Sequence, residues 1–354
     1  MASYRPLVVV LGAGASFGCA TDSMPRDVAV QPPLVTTLFA PTYFQILDKY
    51  PIARHAGAEV RRAIAVAATS NDSFAVEKFI RDTYENASNP SDKRKALALP
   101  WYLQELLWAA SRFYTKNPDN YDVLVSETLR LGDVIFVTLN YDVILDSVLE
   151  TYSRLKDIDD YVRPERPWDL IKLHGSVSWA REIERDVFQG QFITEPPVDL
   201  FKKVNPTIEV RPVTDNLEEL RLQAVPARYF YPALSVPIGG DEGLLNCPPG
   251  HVTYLRERLA AAEAVDLLVI GYSANDQEVL ALLAGSETTV GTAWIVADTD
   301  DNAEAAMNRI SAVVPLPALA TAASGGGFTH FAQTSAVTEF LQVVARQRSS
   351  AHSS

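Results

Sequence analysis

Cysteine is nearly absent from this chain: Cys19 and Cys247 are the only two among 354 residues. Two cysteines cannot build a disulfide framework or a four-cysteine zinc ribbon, and such usage fits a reducing cytoplasm. Long apolar runs are missing as well. No stretch approaches the roughly 18 uninterrupted apolar residues that a membrane helix needs. The run 7–11 stops at glycines, so it does not read as a secretory leader. Positive charge is in deficit, with 31 Lys and Arg against 44 Asp and Glu, a net charge of -13. Direct, sequence-independent nucleic-acid binding is therefore not expected, because it needs basic surface to displace counterions from phosphates. Histidine is scarce, five in all. No two have metal-ligand spacing, and no His-x-Glu precedes paired cysteines, so neither zinc nor another resident metal is expected. The remaining class is a soluble, cytoplasmic globular protein long enough to bury a sizeable core.

What is present is a series of short apolar, β-branched runs at 7–11, 134–139, 170–173, 233–238, 267–270 and 293–297. Continuous apolar runs of that length read as strands buried on both faces. Helical patterns follow at 143–152, 276–284 and 302–313, so strands alternate with helices. That pattern predicts an α/β fold with a doubly wound, mostly parallel, Rossmann-like sheet. Two insertions interrupt it. Residues 34–131 show helical periodicity at 34–49, 56–68, 75–85, 94–115 and 121–131, with breaks at Pro41, Pro51, Asn89-Pro90 and Asn117-Pro118. Residues 180–231 are charged and proline-rich, a mixed insertion of short strands plus a helix near 217–222. Ser324-Gly325-Gly326-Gly327 precedes a last strand at 329–332 and a helix at 337–346. The expected unit is one domain over 1–348, with 349–354 as a disordered tail.

Four stretches mark the ends of strand-like runs: Val8-Val9-Val10-Leu11-Gly12-Ala13-Gly14-Ala15-Ser16, Thr138-Leu139-Asn140-Tyr141-Asp142, Lys172-Leu173-His174-Gly175-Ser176 and Gly271-Tyr272-Ser273. Ligands of open α/β sheets collect outside the carboxyl ends of the strands, so shared strand-end placement makes the set a candidate site. Gly12 and Gly14 let backbone amides approach a pyrophosphate; the alternative is a tight strand-to-helix turn. No second strand with an acidic end follows them at about 20 residues, as a dehydrogenase would require. Asn140 and Asp142 project polar groups into the crevice or cap the following helix. His174 ends a strand, and histidine is the residue type suited to acid–base work at neutral pH, which favours a catalyst there. Ser273 contacts a ribose or phosphate, or caps a helix together with Asn275. Asp298, after the run 293–297, accepts a ribose hydroxyl or is simple turn chemistry.

In this order the four stretches resemble the sirtuin-like family, whose signatures are a Gly-Ala-Gly-x-Ser loop, an Asn and an Asp after a strand, a His-Gly and a Gly-x-Ser. The resemblance spans residues 7–297. It departs from the protein-deacylase branch, which carries four zinc-binding cysteines after the His-Gly, where this chain has Cys247 alone. That branch also has an arginine-containing loop where this chain reads Met24-Pro25-Arg26-Asp27. The pattern is closer to the zinc-less prokaryotic branch found in antiphage defence. The resemblance implies a gated NAD glycohydrolase, with NAD as substrate, no zinc, a homo-oligomeric assembly and an activating partner protein. It implies His174 as general base, Asn140 holding the ribose or a water, and Asp142 orienting the nicotinamide carboxamide or the adjacent loop. Gly12, Ala13, Gly14, Ala15, Ser16, Gly271, Ser273 and Asp298 would bind the rest of the dinucleotide. The competing readings are an NAD-dependent protein deacylase and a nucleotide-sensing subunit without turnover. The helical insertion is either a contact for oligomer or partner or a lid that completes the core.

Overall fold

The computed structural model describes residues 4–19, 31–34, 37–70, 90–116, 118–155, 157–182, 218–219, 230–234, 247–285, 289–318 and 321–351. The strands are β1 (Leu7–Leu11), β2 (Val134–Thr138), β3 (Trp168–Lys172), β4 (Gly175–Glu182), β5 (Glu218–Glu219), β6 (Phe230–Leu234), β7 (Ala264–Ile270), β8 (Thr289–Val296) and β9 (Thr321–Ser324). Six of them form a parallel sheet in the order β3-β2-β1-β7-β8-β9, and three form a small antiparallel sheet, β5-β4-β6. Numbered along the large sheet alone, the order is 3-2-1-4-5-6, the doubly wound arrangement with a switch point between β1 and β7.

The helices are α1 (Ala13–Phe17), α2 (Phe44–Leu47), α3 (Pro51–Ser70), α4 (Pro90–Tyr114), α5 (Asp119–Thr128), α6 (Ile144–Tyr152), α7 (Pro249–Ala261), α8 (Gln277–Ala284), α9 (Asp300–Ser311), α10 (Gly327–Gln333) and α11 (Ala336–Ala351). Strand alternation decides which of them the sheet can bury. Leu7, Val9 and Leu11 of β1 join a core with Leu124 of α5, Val148 of α6, Phe328 of α10 and Phe340 of α11. Val8 and Val10 point the other way, toward Leu255 of α7, Leu280 of α8 and Ala306 of α9. Every residue of β1 is fully buried, which is why it reads as an unbroken apolar run instead of an alternating one.

Register sets the site. Leu11 pairs with Thr138 and with Ile270, Thr138 with Lys172, Ile270 with Val296, and Val296 with Ser324. The six strands thus end on one line, and the loops that follow them open on one edge.

Several expectations are corrected. Residues 233–238 do not supply a strand of the large sheet; Phe230–Leu234 pairs with β4 in the small one, and the remainder lies outside the described residues. The place is taken by β9, whose Thr-Ala-Ala-Ser sequence carries no apolar signal at a half-buried sheet edge. Residues 329–332 are helical, in α10, because Phe328 and Phe331, three apart, both bury; Phe328 meets Tyr121 edge-on at 5.1 Å and Phe331 meets Trp294 at 6.2 Å. The expected helix 34–49 is a 3-10 turn, Pro41–Tyr43, running into the single turn of α2. Glu218–Glu219 is strand, not helix, and the helix expected at 75–85 lies outside the described residues. Helix α7 has no counterpart among the expected helices. The small sheet starts at Gly175, ahead of residue 180. Finally, α11 runs through Ser349 to Ala351 where a loose tail is expected. Arg348 explains it: its Nε donates to the fully buried Asp266 (3.0 Å), which Arg5 also pairs. No helix among the described residues is long and apolar enough to cross a membrane.

His251, in the first turn of α7, stacks on Tyr161 at 6.4 Å and meets Trp179 edge-on at 6.2 Å. Burial lowers its pKa to about 4, with the Ile158 backbone and Asp159 pulling weakly the other way. The unfolded chain takes up this proton near pH 6.5 whereas the folded chain resists it, so His251 removes stability as pH falls from about 6.5 to about 4. His251→Phe is expected to make unfolding free energy less dependent on pH across that window by about 3 kcal/mol, measured by urea titration at pH 7 and pH 4. Identical pH slopes for the two proteins would rule the assignment out.

Candidate functional site

The glycines of the first loop are required by a neighbouring loop. Gly12 N donates to Ile270 O and Gly14 N to Gly271 O, both at 3.0 Å. A β-carbon on Gly12 would lie 2.5 Å from Gly271 O, and one on Gly271 would lie 2.2 Å from Ala15 N. Gly271 also holds φ +61°, a left-handed conformation that costs other residues about 1–2 kcal/mol. Two loops from either side of the switch point are thus pressed backbone to backbone. The amides of Gly12, Gly14 and Ala15 are committed to protein carbonyls. Among the described residues that leaves the Ala13 amide for a ligand, so the loop offers fewer phosphate donors than its glycines suggest.

Ser16, expected at the phosphates, turns inward. Its hydroxyl donates to Asp142 Oδ2 (2.6 Å) and accepts from Asn140 Nδ2 (2.9 Å), and Tyr121 OH lies 3.1 Å away. One donor and two acceptor positions are then filled, and the group is buried. Asn140 spends both amide hydrogens, one on Ser16 and one on Gly12 O (2.9 Å). The carbonyl acceptor at Gly12 fixes which end of the amide is which. Asn140 Oδ1 makes no hydrogen bond among the described residues.

Asp142 is 8% exposed, and both its oxygens are engaged: Oδ2 by Ser16 and Oδ1 by the Ile144 amide (3.1 Å), which caps α6. Burial pushes this carboxyl up; Lys172, the Ser16 hydroxyl and the Ile144 amide oppose that. Lys172 is fully buried at the end of β3. Its ammonium donates to Asp142 O (2.5 Å) and to Asp146 Oδ2 (2.8 Å), and Tyr161 OH donates to Asp146 Oδ1 (2.8 Å). A buried charge persists only when paired and hydrogen-bonded.

His174 lies two residues beyond Lys172. Gly175, at φ +86°, then reverses the chain into β4. Val177 N returns to Tyr141 O (2.8 Å), and the Tyr141 ring lies 6.2 Å from that of His174. The Asn140 and His174 loops are thereby joined. His174 Nε2 is 2.9 Å from Asp276 Oδ2, and the two side chains are 17% and 11% exposed. Asp276 also accepts from the Val279 amide (3.2 Å), so it caps α8 in place of Ser273 or Asn275.

Ser273 is exposed; its hydroxyl accepts from Asn275 (3.1 Å) and its carbonyl from Arg309 (2.9 Å). Asp298, also exposed, uses Oδ1 for the Thr299 amide (3.0 Å) and Asn302 (2.7 Å), which is turn chemistry that leaves Oδ2 open. Gly326 and Gly327 bond back to the carbonyls of Asp298 and Ala297 on the same edge. Sequence reading assigned no role to Lys172, Asp146, Tyr121 or Asp276. Two of them left a trace: Lys172 opens the strand-end stretch that contains His174, and Asp276 is an acid one turn after a Gly-x-Ser. Cys19 and Cys247 are both free, buried and in separate cores.

No family model and no curated protein matches the chain. Solved structures similar to it include one from work on the mechanism and regulation of Sir2 enzymes, 14% identical with a TM-score of 0.42, covering 98% of this chain and 94% of that one. A Sir2 homologue variant in complex with ADP-ribose is 14% identical with a TM-score of 0.39, covering 99% and 94%. A Sir2 homologue–NAD complex is 14% identical with a TM-score of 0.36, covering 98% and 90%.

Two outcomes follow from this geometry. Gly271→Ala is expected to lose roughly 2–4 kcal/mol of unfolding free energy, from the left-handed backbone and the overlap with Ala15; a wild-type denaturation midpoint would mean that the two loops are not in contact. Lys172→Met strands Asp146 without its cation and is expected to cost roughly 3–5 kcal/mol, read from the same urea titration. A loss under 1 kcal/mol would place the ammonium in solvent.

Proposed function

We propose that this protein is a sirtuin-like NAD glycohydrolase, cleaving NAD to nicotinamide and ADP-ribose. One observation carries the reading: Asn140 Oδ1 and His174 Nδ1 are unspent groups on neighbouring strand ends, each on a side chain whose other polar atoms are anchored. Dinucleotides bind doubly wound sheets at the switch point, where the Gly12–Gly14 loop meets Gly271. The Ala13 amide, Ser273 hydroxyl and Asp298 Oδ2 are the polar groups open to the remainder of the molecule.

The chemistry follows from the leaving group. Nicotinamide departs from the ribose carbon with the electron pair of the C–N bond, which neutralises its ring nitrogen. The ribose passes through an oxocarbenium-like state, as in other glycoside cleavages. Asn140 Oδ1 accepts a hydrogen bond from a ribose hydroxyl or from the attacking water and so fixes its position. Water forms the new C–O bond, and His174 takes its proton as general base and releases it to solvent. NAD and water become nicotinamide, ADP-ribose and a proton. The resemblance to NAD-hydrolysing antiphage effectors further supports a gated enzyme, acting as a homo-oligomer or with a partner protein.

The test is chromatography of products after incubation with NAD, with and without the products of neighbouring genes. His174→Ala and Asn140→Ala are each expected to slow nicotinamide release by roughly 100-fold or more. Undiminished NAD loss in both variants would overturn the mechanism. Acyl-ADP-ribose formed from an acylated peptide would reassign the protein to deacylation. Absence of turnover under every condition would make it a nucleotide sensor.

A further inference from the structure

We propose that Asp276 is a positioning residue that fixes the tautomer of His174, holding the proton on Nε2 and leaving the lone pair on Nδ1. The inference rests on the reading of His174 as general base. The two residues are 102 apart in sequence, and the structure places Asp276 Oδ2 at 2.9 Å from Nε2. A carboxylate only accepts, so Nε2 must be the donor, and a neutral imidazole then carries its lone pair on Nδ1. Nδ1 makes no hydrogen bond among the described residues and is not one of their buried unpartnered atoms, so it is open to solvent.

Asp276 is itself immobilised. Its Oδ1 takes the Val279 amide at the start of α8, and its backbone carbonyl accepts from Tyr272 OH (3.2 Å). Tyr272 is buried and follows the glycine that presses on the Gly12–Gly14 loop. The orientation of the base is thus set by the same turn that closes the glycine contact. When Nδ1 takes a proton the ring becomes a cation, and the carboxylate at Nε2 is the group placed to stabilise it.

Asp276→Asn separates this role from the structural one. Asn is as good a helix cap as Asp, and its Oδ1 can keep the Val279 amide. Its Nδ2 then turns toward the ring, where a donor demands the lone pair on Nε2 and drives the proton to Nδ1. The tautomer is read by nitrogen-15 NMR of histidine-labelled protein, with the His174 signal assigned by its loss in His174→Gln. The expected result is the Nε2–H form in wild type and the Nδ1–H form in Asp276→Asn. Nicotinamide release should fall roughly 100- to 10,000-fold in kcat, with KM changed by less than about threefold, the pattern of a group that acts only in the transition state.

A wild-type ring in the Nδ1–H form, an unchanged tautomer in the variant, or a variant with wild-type or higher kcat would overturn the proposal. If wild type shows no NAD turnover under any condition, the hydrolase reading falls, and the tautomer measurement still decides the role of Asp276.

Discussion

Burial of polar groups behind the sheet edge is the constraint on which this structure depends. Ser16, Asn140, Asp142, Lys172 and Asp146 lie where water does not compensate them, so each must be satisfied by another. The solution joins three strand ends. Ser16 belongs to the helix after β1, Asn140 and Asp142 to the loop after β2, and Lys172 to the last position of β3. An unmade bond in such a set costs the full desolvation of the orphaned group. The loops are therefore correct together or not at all.

That closure explains how few groups remain for a ligand. Ser16 and Asp142 look like site residues in sequence because they are polar and follow strands, yet their hydrogen-bonding capacity is used inside the protein. Asn140 and His174 are the exceptions, each anchored through one part of the side chain and open at another. The structure thus separates residues that hold the edge together from residues that face outward, a distinction strand-end placement alone does not make.

How much was legible follows from the same physics. β1 and β2 are buried on both faces, so their runs of valine and isoleucine mark them plainly. β9 is not legible, because Thr321 to Ser324 form a half-buried edge strand and need no large apolar side chain. The stretch 329–332 reads as a strand, but the three-residue spacing of Phe328 and Phe331 serves a helix packed on Tyr121 and Trp294. Lys172 falls inside the expected strand 170–173, but its role is not legible, because its partners lie 26 and 30 residues away. Asp276 is further still. Pairings at such separations are set by strand order, which is not visible until the sheet is assembled.

Tyr121 bears on how a fold of this kind can be altered. The helix that carries it arises from the segment read as an insertion, yet its hydroxyl lies against Ser16 and its ring against Phe328, within the core that covers one face of β1. The segment is therefore not modular at its downstream end. A recombination or graft that exchanged the whole of residues 34–131 for a foreign helical cassette would remove a wall of the protein's interior, whereas one that spared α5 would leave that wall standing.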